Sequence, residues 1–199
     1  KIINYFKWVG EDIVTKLFDD STYQGIINAK PENTMLKFLE PARQVNDLDK
    51  MLSLEQRFFL TDHNLNYTDK MSMSEGVEVR VPFLDLDLID FAYQIPNKYK
   101  VRNGQAKWIF KKAMEPYLPK DIIYRSKTGF GAPLRIWLKN DLRNLMNDTL
   151  SKENVSRRGL FSPSAVQNLI SDNKKGKIDA SYLIFSLMCI EIWFKKFID

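Results

Sequence analysis

Two short stretches hold the residue types with which a protein handles carboxylates and phosphates. The first runs Tyr67-Thr68-Asp69-Lys70-Met71-Ser72-Met73-Ser74 and continues into Gly76-Val77-Glu78-Val79-Arg80-Val81-Pro82-Phe83-Leu84-Asp85. Val77 to Val81 alternates apolar and charged residues before Pro82, which predicts a short strand or extended segment. Glu78 and Arg80 then share a face. A partly buried arginine there takes a carboxylate or phosphate through two parallel hydrogen bonds, and the glutamate holds it in place. The same two residues serve equally as a structural ion pair around a buried strand. The second stretch is Arg125-Ser126-Lys127-Thr128-Gly129-Phe130-Gly131-Ala132-Pro133. Its glycines let backbone N–H groups approach an anion and its cations add charge. That composition also describes an ordinary loop, and the chain contains no G-x-x-x-x-G-K-[ST] phosphate loop.

Other chemistries find little to work with. One histidine and one cysteine exclude a Cys/His zinc site built within this chain. His63 has no serine or cysteine recognisably beside it, so it reads as a hydrogen-bonded structural residue, not a triad member. Cys189 cannot form an internal disulfide. It sits in the apolar run Ile184-Phe185-Ser186-Leu187-Met188-Cys189-Ile190, which predicts a buried small hydrophobe and fits a reducing cytoplasm. Trp8, Trp108, Trp137 and Trp193 are expected to anchor the core.

The charge is uneven. Tyr93 to Arg143 carries twelve Lys/Arg against three Asp/Glu, whereas the remainder carries eighteen against twenty-two. A basic segment calls for an anionic partner or a solvated lysine-rich surface. One candidate partner is nucleic acid, bound by a non-catalytic helical polyanion-binding module. No nucleic-acid motif supports it, so no nucleic-acid partner is expected. The longest apolar stretch, Tyr182 to Ile190, is far shorter than the roughly 20 residues that span a bilayer, and no membrane partner is expected. Lys1-Ile2-Ile3 does not form a signal peptide, and the absence of an initiator Met suggests a chain cut from a longer one or processed.

The elements that must position these residues are mostly helices. Apolar spacing predicts a short helix over Glu11 to Phe18, and another segment beyond the Pro31-Glu32-Asn33 turn. A helix capped by Asp47 or Asp49 is expected to run to about Leu60. Asp85 caps a helix carrying Leu88, Phe91, Ala92 and Ile95 on one face, stopped by Pro96. Ile109, Phe110, Ala113, Met114 and Tyr117 mark a helix ending before Pro119. Ser162-Pro163 is a cap followed by a first-turn proline. Ala180 to Phe197, apolar almost all round, predicts a buried helix. The expected class is mainly α, in one domain over residues 1–199.

Taken together, Asp69-Lys70-Met71-Ser72-Met73, Val77 to Asp85, and Arg125 to Pro133 with Trp137 resemble the asparagine synthetase family in order and spacing. Gly104-Gln105-Ala106-Lys107 resembles that family's G-x-x-K turn. The resemblance is carried by residues 47–145; residues 146–199 add a compatible helical region. It implies the helical C-terminal portion of an α/β ATP-pyrophosphatase synthetase domain, the adenine nucleotide alpha hydrolase-like fold, with the parallel sheet upstream.

The resemblance implies an enzyme that uses ATP and magnesium to adenylate the side-chain carboxylate of aspartate. Ammonia released from glutamine by a separate glutaminase domain then attacks the acyl-adenylate, in the cytoplasm. Lys127 takes the place of the family's catalytic lysine, where a cation stabilises charge on the α-phosphate and the attacked oxygen. Lys70 resembles a second active-site lysine. Glu78 and Arg80 resemble the pair at the edge of the substrate pocket. The S-G-G-x-D-S adenylation loop and the acidic G-D-x-x-D-E-x-F-G-G stretch do not occur in this sequence, nor does the glutaminase. ATP and Mg2+ are therefore expected to belong to a longer enzyme with an upstream synthetase half. This chain alone is expected to hold no metal or cofactor and to be inactive. Leu60-Thr61-Asp62-His63-Asn64-Leu65 departs from the family's Leu-Pro-Asp-Asp-Leu-Leu, which opens the alternative of another carboxylate, such as a sugar acid or secondary metabolite.

Overall fold

A computed structural model describes residues 2–6, 9–28, 30, 32–42, 44–126 and 131–199. The chain is mainly helical and divides into two compact units, residues 1–3 with 32–128, and residues 4–31 with 129–199.

The second unit contains the core. Helices Leu134–Lys139, Arg143–Thr149, Lys152–Arg158, Pro163–Lys174 and Ser181–Phe197 bury Leu134, Leu138, Met146, Leu150, Val155, Val166, Leu169, Ile184, Leu187 and Met188 in one cluster. Each turn between them has a local cause. Ser151 accepts from the Asn154 N–H, and Gly159, at φ +69°, ends the same helix in a left-handed cap that the Cβ of another residue would strain. Ser162 accepts from the Ala165 N–H with Pro163 in the first turn, as its sequence predicts. The N-terminal strip joins this unit by main-chain bonds: Asp19 N–H to Leu160 C=O, 3.0 Å, and Ser162 N–H to Leu17 C=O, 2.8 Å. Phe18 and Phe161 stack beside them with centroids 5.3 Å apart.

Helix Ser181–Phe197 corrects one expectation. It buries Ile184, Leu187, Met188 and Glu191, a single stripe at helical spacing. Phe185, Ile190, Ile192 and Trp193 on its other sides are exposed, and so is Cys189. The tryptophan expectation also fails in part: Trp137 is 40% and Trp193 50% exposed, while Trp8 lies outside the described residues. An apolar sequence states a preference for burial; which sides obtain it depends on how many neighbours arrive.

In the first unit, residues 47–74 form one unbroken helical run. It begins as the α-helix Asp47–Leu54, widens to π over Glu55–Leu65, and returns to α over Asn66–Ser74. Its cap is Asn46, which accepts from the Asp49 N–H at 3.0 Å, and not Asp47 or Asp49. Asp49 is turned instead toward Lys100. The π turns bring residues five apart into register: Thr61 Oγ1 donates to Gln56 C=O at 2.7 Å, and Arg57 pairs with Asp62 at 3.3 Å. Gly76, at φ +68°, ends the run.

Residues 77–81 follow without a ladder partner among the described residues and are extended chain, not a strand. Asp85 accepts from the Leu88 N–H at 3.1 Å and starts helix Leu86–Gln94, as its position predicts. The strands among the described residues are Val101–Arg102 and Gln105–Ala106. They are antiparallel, with Val101 opposite Ala106, and turn on Asn103 and Gly104, both at positive φ. Helices Glu32–Leu39, Asn97–Lys100, Trp108–Met114 and Lys120–Tyr124 also belong to this unit. Among its described residues only Leu54 is fully buried. No helix of the described residues is long and apolar enough to cross a membrane.

Candidate active site

The candidate residues sit where the first unit changes from helix to extended chain. Lys70 lies one turn before the end of helix Asn66–Ser74 and is exposed; it makes no hydrogen bond or ion pair among the described residues. An ammonium left in this state is available to an incoming anion at the cost only of shedding water.

Glu78 and Arg80 do meet, at 2.6 Å. Their burial differs from expectation. Arg80 is 85% and Glu78 67% exposed, and Val77, Val79 and Val81 between them are exposed as well. The physical reason is that no strand among the described residues pairs with the segment, so both of its faces meet water. A pair this solvated contributes little to stability, which leaves its charges free for a ligand. Lys127, with Thr128, Gly129 and Phe130, lies outside the described residues.

The segment leading to Lys127 is anchored. Tyr124, the last residue of helix Lys120–Tyr124, donates its hydroxyl to Glu115 Oε1 at 2.5 Å, and Lys112 Nζ reaches the same oxygen at 2.7 Å. The hydrogen bond from Lys112, then that from Tyr124, holds the Glu115 carboxyl below the usual range. The bond to Glu115 in turn raises the Tyr124 phenol.

Sequence reasoning did not find the polar network on Asp49. Lys100 Nζ reaches Asp49 at 3.2 Å, and Asn97 donates to both Asp49 and Asn46 at 3.1 and 2.7 Å. Burial opposes ionisation of Asp49, but the donors Asn46, Lys100 and Asn97 outweigh it and lower its pKa. Nearby, Tyr93 of helix Leu86–Gln94 bonds to Gln56 in the π stretch of the helical run. The partners are some fifty positions apart in sequence, so no local pattern announces them. The network holds the short helix Asn97–Lys100, which leads into the hairpin, against the start of the helical run.

His63 is a structural residue: Nδ1 is 3.0 Å from Asn64 Oδ1, the ring stacks on Phe59 at 5.1 Å, and Tyr67 meets it edge-on at 5.3 Å. Trp108 carries Arg102 over its face at 4.7 Å and stacks with Tyr99 at 6.0 Å. A surface cavity of about 620 Å³ belongs to the second unit, lined by Ile13, Ile178, Tyr182, Leu183 and the Arg135–Asp179 pair. None of the predicted site residues lines it. No group of three or more His, Cys, Asp or Glu converges among the described residues.

Among the described candidate residues, Lys70 is a solvated cation and Arg80 and Glu78 form an exposed ion pair, all carried on a mainly helical body. The chain matches the Asparagine synthase family over residues 7–195 and belongs to it. It is 27% identical over 183 residues to asparagine synthetase [glutamine-hydrolyzing] 1 of Bacillus subtilis, an alignment covering 89% of this chain and 29% of the relative. Asparagine synthetase [glutamine-hydrolyzing] 3 of the same organism is 33% identical over 122 residues, 58% of the chain and 20% of the relative. The amidase chyE of Penicillium rubens is 28% identical over 119 residues, 56% and 18% respectively. The chain thus spans less than a third of the length of these relatives. No solved structure matches it.

Proposed function

We propose that this chain forms part of an ATP-dependent, amide-forming ligase. The enzyme adenylates the side-chain carboxylate of aspartate and passes ammonia from glutamine to the acyl-adenylate, giving asparagine, AMP and pyrophosphate. The observation that carries this reading is the family match over residues 7–195. A carboxylate is a poor electrophile, and attaching AMP supplies a leaving group. Lys127 stabilises the negative charge that develops on the α-phosphate and the attacked oxygen. Lys70 supplies a second cation for phosphate or acyl oxygen. Arg80 takes a substrate carboxylate in two parallel bonds, with Glu78 holding the guanidinium or meeting the substrate amine.

The nucleotide and metal contacts of such an enzyme need polypeptide beyond these 199 residues. Met71, Val77, Phe83, Leu86 and Phe91 are exposed in this structure, and Leu86 is 76% exposed. An apolar surface of that extent is suited to cover by the upstream synthetase half of the same protein.

The test uses the complete polypeptide encoded by the gene, with aspartate-dependent AMP release as readout. Lys127→Ala is expected to lower kcat by about 100-fold or more. Arg80→Ala is expected to raise KM for the carboxylate by about tenfold or more, with a smaller effect on kcat. A Lys127→Ala enzyme as active as wild type would sink the assignment. A second reading keeps the chemistry and changes the acid. Two fungal relatives are named amidases, and Leu60-Thr61-Asp62-His63-Asn64-Leu65 departs from the family's usual run. AMP release with a sugar acid or another metabolite, and none with aspartate, selects this second reading.

A further inference from the structure

The cavity of the second unit is apolar along its wall and charged at one side. Ile13, Ile178, Tyr182 and Leu183 supply the wall, and at about 620 Å³ the space falls within the roughly 300–1,000 Å³ of small-ligand pockets. Arg135, from helix Leu134–Lys139, and Asp179, just before helix Ser181–Phe197, line the same space and meet at 2.5 Å. Each gives only one edge to the other. Arg135 donates through Nε, and neither of its Nη atoms has a partner among the described residues. Asp179 accepts through Oδ2, while Oδ1 takes the Ser181 N–H at 3.4 Å and no other donor among the described residues. The hydrogen bond from Arg135 holds the Asp179 carboxyl below the usual range, so both groups are ionised near neutral pH. The two side chains are 64% and 49% exposed, and a pair so solvated adds little to folding.

We propose that this cavity binds a free α-amino acid with a large apolar side chain. The ligand carboxylate takes the Nη groups of Arg135, the ligand ammonium takes Oδ1 of Asp179, and the side chain lies against Ile13, Ile178, Tyr182 and Leu183. Charge balance selects that class. Arg135 and Asp179 together are neutral, so a simple anion is repelled by Asp179 and a simple cation by Arg135. A zwitterion carries its two charges on either side of one carbon and answers both. An apolar side chain gains by leaving water for the wall, whereas a polar one loses its hydrogen bonds there. The assignment does not depend on the ligase reading.

The test is equilibrium dialysis of labelled L-phenylalanine against the complete polypeptide. 3-Phenylpropionate and phenethylamine serve as competitors that each keep the ring and one of the two charges. Saturable binding of L-phenylalanine is expected, with each competitor weaker by about tenfold or more, as loss of one charge-assisted contact requires. Excess aspartate is expected not to displace it. Arg135→Met is expected to weaken L-phenylalanine by about tenfold or more. Asp179→Asn keeps the shape and the acceptor for Ser181 and deletes the charge, and in it 3-phenylpropionate is expected to bind as tightly as L-phenylalanine. Both positions are largely exposed, so the variants keep the fold. Absence of saturable binding overturns the site, and so does binding that survives Arg135→Met. Displacement by aspartate moves the amino acid to a substrate pocket and overturns it as well. In the wild type, 3-phenylpropionate as tight as L-phenylalanine leaves only an apolar cleft and overturns the zwitterion.

Discussion

Arg158 lays its guanidinium along Glu191, with Nε 3.0 Å from one carboxylate oxygen and Nη2 3.2 Å from the other, while Nη1 and Nη2 take Asp199 at 2.9 and 2.7 Å. Its remaining face rests on the Phe194 ring, 4.5 Å from the centroid. Glu191 is 5% exposed, so helix Ser181–Phe197 carries a carboxylate into the interior and finds it answered from helix Lys152–Arg158. The hydrogen bonds that Arg158 donates to Asp199 and Glu191 raise its already high pKa, and Arg158 lowers that of Asp199.

Removing one partner of such a pair is worse than removing both, because a lone buried charge has nothing to replace its water. Arg158→Met is expected to lower Tm more than the double variant Arg158→Met/Glu191→Leu. Equal or reversed Tm values in thermal denaturation would show that the pair is only an exposed contact.

The two units should respond differently to truncation of apolar side chains. Ile184 is fully buried, and Ile184→Ala is expected to cost about 2–5 kcal/mol in urea unfolding. Phe91 is 64% exposed, and Phe91→Ser in the isolated chain is expected to change stability by no more than about 0.5 kcal/mol. The exposed apolar surface is also expected to drive self-association of the isolated chain, and Phe91→Ser to reduce it, as read by sedimentation.

Acid should act on the Tyr124 anchor before it acts on the core. The folded pKa of Glu115 is lowered by Lys112 and Tyr124. Its contribution is therefore complete above the ordinary glutamate range and lost as pH falls through the lowered value. Amide exchange at Arg125 and Ser126, corrected for its intrinsic pH dependence, is expected to be flat above the ordinary glutamate range and to rise as pH falls below it. In Glu115→Gln the rise should vanish.

Cys189 offers a direct check on the outer side of the last helix. It is exposed, though partial burial pushes its thiol up. A maleimide is expected to label it in the folded chain, more slowly than a free peptide thiol at pH 7 because less thiolate is present. Labelling only after unfolding would place it in the core instead.

The family blocks, the Asp85 and Ser162 caps and the stop at Pro96 were legible in the sequence, because each depends on residues within a few positions of one another. Helix caps, turn glycines and prolines act through bonds of their own backbone neighbourhood, so the chain states them directly. The chemical types of Lys70, Glu78, Arg80 and Lys127 are stated there too. Tertiary structure decided what those residues face. Three valines alternating with Glu78 and Arg80 along 77–81 read as a half-buried strand, yet burial requires a neighbouring strand, and a segment cannot supply its own. The all-round apolar Ala180 to Phe197 obtained cover on only one stripe for the same reason. The Asp49–Lys100, Glu115–Tyr124 and Arg158–Glu191 pairs were beyond local reading altogether. They join positions 9 to 51 residues apart, and such contacts exist only once packing has brought the two elements together.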